Sequence, residues 1–320
     1  MSKFNWKKYK SVIISLHNAG MSSTDIHDSI KGIDKAVPRS GDRTIRELVN
    51  KWCPKLVMKG KGNMPKILVF DIETAPIKAY VWGKWNQNIQ DSHIIDDWFM
   101  LSWSAKWLFD EEVVSDVVTV KEVLKKDDKR ISKSVWELLN EADIVIGHNA
   151  LKFDIRKLNS RFLLNGLLLP APYEVIDTLV HARKKFAMSS NRLDYLAHLL
   201  GFDGKLPTSF QLWADCLTGD SEALTNMQVY CDQDVRVLED VYLKLRPYIQ
   251  PHPNLGIHIG DGIVRCPSCG SSHLKPEGSY NTTVNTYEAL RCNDCGSLSR
   301  NRKSLMDKED RKAILSSLPK

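Results

Sequence analysis

The sequence predicts a mixed α/β sheet flanked by helices, with a small helical domain ahead of it and a cysteine-bound module behind it. Three observations carry that prediction. Between residues 64 and 250, short β-branched and apolar runs come first and helical periodicity is interleaved later, the order of a mixed sheet with helices laid on it. Residues 1–58 show only three- and four-residue apolar spacing, and four of the seven cysteines fall into two close pairs, at 266/269 and 292/295. With 320 residues, 42% of them apolar and 26% charged, the chain can bury a sizeable core. It contains no apolar run of about 18 residues that would span a bilayer as a helix. The apolar stretch 12–16 is too short for a signal-peptide core, so a cytoplasmic location is expected. No fixed-period repeat is present.

In the first segment Trp6, Tyr9, Val12, Ile13 and Leu16 recur at helical steps, and Gly20 stands where a C-cap is wanted. Ser22, Ser23 or Thr24 can cap a second helix carrying Ile26 and Ile30. Ser40 or Asp42 can open a third carrying Ile45, Leu48, Val49 and Trp52. With Arg43-Thr44-Ile45-Arg46, about fifty residues resemble a helix-turn-helix DNA-binding domain of the resolvase or transposase type. That family joins its last two helices by a tight turn, whereas here residues 31–39, including Pro38, intervene. DNA binding and a helical docking module are both open readings of this segment.

Residues 59–63 are a polar, Gly-rich linker. Residues 66–70 then read as a buried strand that delivers Asp71-Ile72-Glu73-Thr74 at its end, and 99–108 and 113–120 read as further strands with hairpin order. Residues 134–142 read as a helix, 143–147 as a buried strand, 153–164 as a helix, and 192–249 as mostly helical. The expected divisions are a helical domain at 1–58, the sheet domain at 64–250, the cysteine module at 257–302 and a basic, polar tail at 303–320.

Charge is uneven along the chain. Residues 1–63 carry +8, residues 64–251 carry −5 and residues 252–320 carry +3, against a total of +6. An acidic centre between basic flanks suits a carboxylate site that must hold a polyanion, and suits equally a chain whose charges only keep each piece in solution.

Asp71 and Glu73, two residues apart on a strand, leave from one face, so both carboxylates can meet one cation. Asp-x-Glu alone is a common strand end. It stands here with Gly147-His148-Asn149, with Phe153-Asp154 at the start of a helix, and with Tyr230 and Asp234, which share a helix face at four-residue spacing. In this order the segments resemble the three motifs of the DEDDy 3′–5′ exonucleases, DnaQ-like enzymes of the ribonuclease H-like fold that include the proofreading domains of DNA polymerases. The resemblance spans residues 66–245. Sister enzymes carry a histidine five residues before the last aspartate, where this chain has Val229.

The resemblance implies a ribonuclease H-like mixed sheet and a pair of Mg²⁺ or Mn²⁺ ions, in keeping with hard oxygen ligands. It implies that Asp71 bridges both ions, that Glu73 and Asp234 complete one site, and that Asp154 supports the other. Tyr230 would orient the attacking water, with Thr74, Asn149 and Phe153 lining the terminal nucleotide. His148 reads as a substrate-contacting or packed side chain and not as a base.

Cys266-x-x-Cys269 and Cys292-x-x-Cys295, each followed by Gly, supply the four thiolates that a structural Zn²⁺ prefers. The module looks like a zinc ribbon, with strands expected in 282–291. Arg265, Arg291, Arg300, Arg302 and Lys303 could meet phosphates there. Cys53, Cys216 and Cys231 read as free thiols. Trp82, Trp85, Trp98, Trp103 and Trp107 crowd around the expected hairpins, as sheet packing or as a stacking platform for bases.

The function expected is a metal-dependent exonuclease acting on DNA 3′ ends, with accessory modules that bring it to nucleic acid. The alternatives are an RNA-trimming exonuclease, a DNA-binding regulator with a vestigial nuclease domain, and an endonuclease on the same fold.

Overall fold

The computed structural model describes residues 4–18, 21–38, 41–52 and 64–317. They divide into two compact units. One is Pro65–Pro253; the described residues of the other fall within Met1–Met64 and Asn254–Lys320.

At the start of the chain a 3₁₀ turn, Trp6–Tyr9, runs into α1 (Lys10–Asn18), followed by α2 (Ser23–Ile33) and α3 (Asp42–Trp52). Ser22 caps α2 reciprocally with Asp25, each side chain taking the other's backbone N–H. Ile13, Ile26, Ile30 and Ile45 are wholly buried between the three helices, the face that three- and four-residue spacing selects. The helix α2 runs to Ile33, so the connection to α3 begins later than residue 31. The expected C-cap at Gly20, the expected linker at 59–63 and Cys53 lie outside the described residues.

The larger unit is built on β1 (Ile67–Thr74), whose first four residues are buried because sheet and helices cover both faces. The short β2 (Lys78–Ala79) pairs with β3 (Ile94–Asp96), and β4 (Met100–Trp107) and β5 (Val114–Val117) follow. Then come α4 (Val120–Lys125), α5 (Lys129–Glu141), β6 (Ile144–Gly147), α6 (Asp154–Leu164), β7 (Glu174–Asp177), α7 (Thr178–Lys185), α8 (Leu193–Leu199), α9 (Phe210–Thr218) and the 25-residue α10 (Ser221–Leu245). The strands make one mixed sheet in the order β5-β4-β1-β6-β7. The β5-β4-β1 part is antiparallel, and β6 and β7 are added in parallel.

Register places the two faces. Asp71 lies opposite Ser104 and Glu73 opposite Ser102. Along β4 the even positions reach α10: Ser104 donates to Asp232 at 2.6 Å, and the buried Lys106 pairs with Glu239. The odd position Trp103 donates instead to Ser134 of α5 at 3.1 Å. Period-two alternation on β1 and β4 therefore turns Asp71 and Glu73 toward α10, while Phe70 and Ile72 enter the core beneath α5 and α6. Asp128 ties that second layer together, accepting from the Met100 N–H at 2.8 Å and from Arg161 and Asn165 of the α6 end. The helix expected at 134–142 starts earlier, at Lys129. The strand β7, the β2–β3 pair and α4 are found where no element was expected.

In the second unit α11 (Leu255–Ile259) precedes three antiparallel strands, β8 (Leu274–Asn281), β9 (Thr286–Cys292) and β10 (Leu298–Ser304), in the order β10-β9-β8, and α12 (Lys308–Lys312) follows. The first strand begins at Leu274, ahead of the 282–291 stretch read from sequence. Among the described residues no helix is long and apolar enough to cross a membrane.

Candidate active site

Three chain segments far apart in sequence meet on the α10 face of the sheet. Carboxylate oxygens of Asp71, Glu73 and Asp234 all lie within 4.8 Å of one another, with Asp71 and Glu73 partly reachable by solvent and Asp234 buried. Asp154, at the first position of α6, accepts from the Ile72 N–H at 3.3 Å and so turns its carboxylate to the strand between the other two acids. Four acids in one place raise each other's proton affinity. Burial, then the neighbouring Asp154, Asp234 and Glu73, push Asp71 well above the usual carboxylate range. Burial with Asp234 beside it takes Glu73 to about 8, and burial takes Asp154 to about 7.

One cation of the protein's own sits in this cluster. Lys205, in the loop after α8, donates through Nζ to Asp234 Oδ2 and, at 3.4 Å, to the Tyr230 hydroxyl. Burial works to strip its charge, but Asp234 and Asp71 outweigh that and raise its affinity for the proton. The other oxygen of Asp234, Oδ1, is buried with no hydrogen-bond partner. A buried anionic oxygen left bare is costly unless something positive meets it. Hard oxygen donors, mutual repulsion and a bare acceptor together fit a divalent cation held by Asp71, Glu73 and Asp234.

Tyr230 stands one turn before Asp234 on α10, its ring edge-on to Trp213 at 5.9 Å, and burial followed by the charge of Asp234 pushes its phenol up to about 12. Cys231 packs its Sγ 3.6 Å from the Asp71 carbonyl, and burial followed by Asp71 raises the thiol well above its ordinary value. It remains protonated and donates its S–H to that carbonyl.

The loop that delivers Asp154 is built around Asp177, at the end of β7. Its buried carboxylate accepts from the N–H groups of Asn149 at 2.9 Å and Leu151 at 3.1 Å, and caps α7 through Leu179. Asn149 adopts φ of 71°, a conformation Asn tolerates better than most residues. Gly147 is demanded by space, since a Cβ there would lie 2.4 Å from that of Ala150. His148 spends both ring nitrogens inside the protein, Nδ1 on Thr178 Oγ1 at 2.8 Å and Nε2 on the Asn191 carbonyl at 2.9 Å. Burial lowers it to about 4, so it is neutral, with Nε2 donating.

Thr74 opens onto a cleft of about 580 Å³ lined by Thr74, Ala75, Pro76, Ile77, Trp98, Lys157, Phe210 and Trp213. Lys157 lies 3.8 Å over the Trp98 ring and 5.3 Å from that of Phe153, which caps α6 and is partly exposed. Trp213 also donates a hydrogen bond to Glu73, so cleft and carboxylates share a wall. Lys205, Asp177 and Trp213 are not marked by the sequence motifs. Asp177 carries a faint signal, an apolar pair followed by Asp-Thr, the form of a strand ending in a helix cap.

In the second unit two knuckles repeat one hydrogen-bond pattern. The Cys266 N–H donates to the Ser271 carbonyl at 2.7 Å and the Gly270 N–H to the Cys266 carbonyl at 2.9 Å. The Cys292 N–H to Ser297 and the Gly296 N–H to Cys292, each at 2.9 Å, do the same. Gly270 and Gly296 hold φ of 74° and 78°, which closes each turn. Cys266 and Cys295 Sγ lie 3.6 Å apart and Cys269 and Cys292 Sγ 3.5 Å apart. These distances are too long for disulfides, and four thiols so clustered could hold one tetrahedral ion. Arg265 pairs with Asp261 and Arg291 with Glu277, and Arg300 stacks 4.1 Å over Tyr287.

A family model described as RNase_H superfamily matches residues 106–246, a stretch that holds Asp154, Tyr230 and Asp234 but not β1 with Asp71 and Glu73. No curated protein sequence matches the chain. Among solved structures, the chain is similar to the family B DNA polymerase from the hyperthermophilic archaeon Pyrobaculum calidifontis. That similarity has 18% identity and a TM-score of 0.43 over 57% of this chain, and it spans 25% of the polymerase. The matched family and the sheet order, three antiparallel strands extended by two parallel ones with helices on both faces, give Pro65–Pro253 a ribonuclease H-like fold.

Proposed function

We propose that the Pro65–Pro253 unit is a metal-dependent 3′–5′ exonuclease that hydrolyses the terminal phosphodiester bond of DNA, with Mg²⁺ or Mn²⁺ as its ions. The observation that carries this is the meeting of Asp71, Glu73 and Asp234 within 4.8 Å around a bare buried oxygen, with Asp154 beside them and a phenol one helical turn away. In this reading Asp71 would hold both ions, Glu73 and Asp234 would complete one site, and Asp154 would support the other. Two such ions supply charge neutralisation on the attacking and leaving oxygens. Tyr230, its phenol at about 12, is no base at neutral pH and instead orients the attacking water through its hydroxyl. Lys205 fixes that hydroxyl and keeps a positive charge at the edge of the cluster, where a scissile phosphate would bring negative charge. The cleft beside Thr74, with Trp98, Phe210 and Trp213, has the aromatic lining that would take the terminal base. Asn149 and Phe153 would line the same terminal nucleotide. His148, with both nitrogens engaged, would act by holding the Asn149 loop in place.

The four-cysteine cluster is proposed to bind one Zn²⁺ as a structural ion. The helical segment and the ribbon are proposed to bring the nuclease to nucleic acid.

The test is hydrolysis of end-labelled single-stranded and duplex DNA and RNA with Mg²⁺, Mn²⁺ or EDTA, beside an Asp71→Ala control. Stepwise loss of 3′ mononucleotides from linear DNA that needs the cation and Asp71, with circular DNA left intact, is expected. Preference for RNA would move the assignment to the RNA-trimming alternative, and cutting of circles would replace the exonuclease by an endonuclease. An Asp71→Ala protein with full activity would remove the site altogether.

A further inference from the structure

The five tryptophans that crowd residues 82–107 separate in the structure. Trp103 is buried in the sheet and Trp98 lies beneath Lys157, but Trp82 and Trp85 are 96% and 84% exposed, and Tyr80 between β2 and them is 75% exposed. Among the described residues no ring or cation packs on either Trp82 or Trp85. Three large aromatic side chains left to water on one short stretch are unusual for a protein that has nothing to place on them.

Their position in the chain indicates what would cover them. They stand on an arm that leaves directly from the wall of the cleft: Thr74 to Ile77 line the cleft, β2 pairs with β3, and the Tyr80 N–H donates to the His93 carbonyl at 3.0 Å to close the base of the arm. The tip is shaped by a turn in which Asn86 holds φ of 52° and Gln87 donates to the Trp85 carbonyl at 2.7 Å. From 74 to 90 the chain carries Lys78 and Lys84 and several amides, and Asp91 is the one carboxylate between Tyr80 and His93. Exposed aromatic faces among cations and amides are the surface that single-stranded nucleic acid uses, since every base offers a π-face and every linkage a negative charge. A protein partner would bury the same rings, but their place on an arm that continues from the wall of the proposed nuclease cleft favours the polyanion that this site would cleave.

We propose that this arm is a stacking platform for the strand whose end lies in the carboxylate site. Trp82 and Trp85 would pack on bases upstream of the scissile bond, and Lys78 and Lys84 would meet the phosphates. The proposal rests on the nuclease reading for the direction of the strand. Trp82 is eight residues from Thr74, a reach of at most about 28 Å when extended. That is at most roughly eight base steps, so a 20-nucleotide strand is long enough to touch both places, and a dinucleotide offers no more than one base beyond the scissile bond.

The experiment measures two quantities on the full chain. Fluorescence anisotropy in EDTA gives the affinity for a labelled 20-nucleotide single strand, as DNA and as RNA. Hydrolysis of a dinucleotide with Mn²⁺ reports the carboxylate site alone. Trp82→Ala with Trp85→Ala should weaken binding of the 20-mer by about tenfold or more and leave dinucleotide hydrolysis unchanged, while Trp82→Phe with Trp85→Phe should restore most of the affinity. Unchanged 20-mer affinity in the double alanine variant overturns the platform, whatever the rate on the dinucleotide. Ring-dependent affinity in a wild-type protein that hydrolyses nothing would sink the nuclease reading and leave the platform standing.

Discussion

The carboxylate cluster and the cysteine cluster are both groups of side chains that could hold a metal ion, yet they are assembled in opposite ways. The four thiols come from two copies of one local turn, each closed by its own hydrogen bonds and its own left-handed glycine. The acids come from a strand end, the first turn of a helix and the middle of a 25-residue helix, with Asp71 and Asp234 lying 163 positions apart. The surrounding scaffold differs as well. The sheet unit keeps its acids together with a large apolar core, and the ribbon has little besides Leu290 and its own cysteines to bury. A small module with so little core would lean on an ion held by its cysteines for folding, whereas the sheet unit has the core to bear its repelling acids as a cost.

The largest expected effect follows on the ribbon side. Structural zinc contributes on the order of 10 kcal/mol or more to a small module. Cys292→Ser, or a strong chelator, should therefore abolish the bound ion and the folded signals of β8 to β10, while the 65–253 unit keeps its own melting transition. Zinc content by mass spectrometry and amide exchange over residues 266–304 read this out. Protection that survives the loss of metal would mean that the ribbon folds without it.

The opposite balance is expected at the acids. Asp71→Asn removes one charge from a repelling set, so the cation-free protein should melt higher than wild type, while hydrolysis falls by roughly a thousandfold. A stabilising change that destroys function is the mark of a strained site. A lower melting point for Asp71→Asn would show the acids to be a structural network.

The same strain predicts a pH dependence with a definite sign. Glu73 and Asp154 hold folded-state values of about 8 and about 7, above their ordinary carboxylate values. Raised acids take up protons on folding, so without a cation these two groups favour the folded unit most below about pH 4 and progressively less as the pH climbs toward 8. The increase in melting temperature caused by Mn²⁺ should accordingly be larger at pH 8 than at pH 5.5. Differential scanning calorimetry at the two values checks it, and an equal shift at both would place the ion elsewhere.

The smallest effects belong to the residues that steer. Lys205→Met frees Asp234 of its partner and the Tyr230 hydroxyl of its donor, and should slow hydrolysis by about a hundredfold, as the loss of a buried charged contact does. Tyr230→Phe should cost about tenfold, the worth of one hydrogen bond, and leave Mn²⁺ affinity intact. If Tyr230→Phe weakens the metal as much as Asp234→Ala does, the phenol is part of the ligand set and not a guide for water.

How much of this was legible differs residue by residue. That Asp71 and Glu73 share a face follows from a period of two, and that Tyr230 and Asp234 share one follows from a four-residue step on a helix. Neither needs any contact beyond its own element. Asp177 was not legible, because a four-residue strand is too short to show a period and its carboxylate acts on N–H groups 26 and 28 residues back. Lys205 was hidden for a related reason: a lysine in a loop looks like any solvated charge until the loop is seen to lie over Asp234. The tryptophans were legible as a group and not individually, since composition shows five rings near two hairpins but not which rings the sheet covers.

Local geometry, written in the spacing of neighbouring side chains, is therefore what the amino-acid sequence by itself determined: the turn that aims each cysteine pair, the strand that aims two acids, the helix that aims a third with its tyrosine. Which groups then stand opposite one another was decided only by tertiary packing. Burial sets how strongly four acids repel, and folding alone brings Lys205 to Asp234 across 29 residues and turns Trp82 out to water while Trp103 goes into the core. The physical reason is that charge–charge and stacking energies depend on distance and on exclusion of water, and a linear chain specifies neither until it has closed on itself.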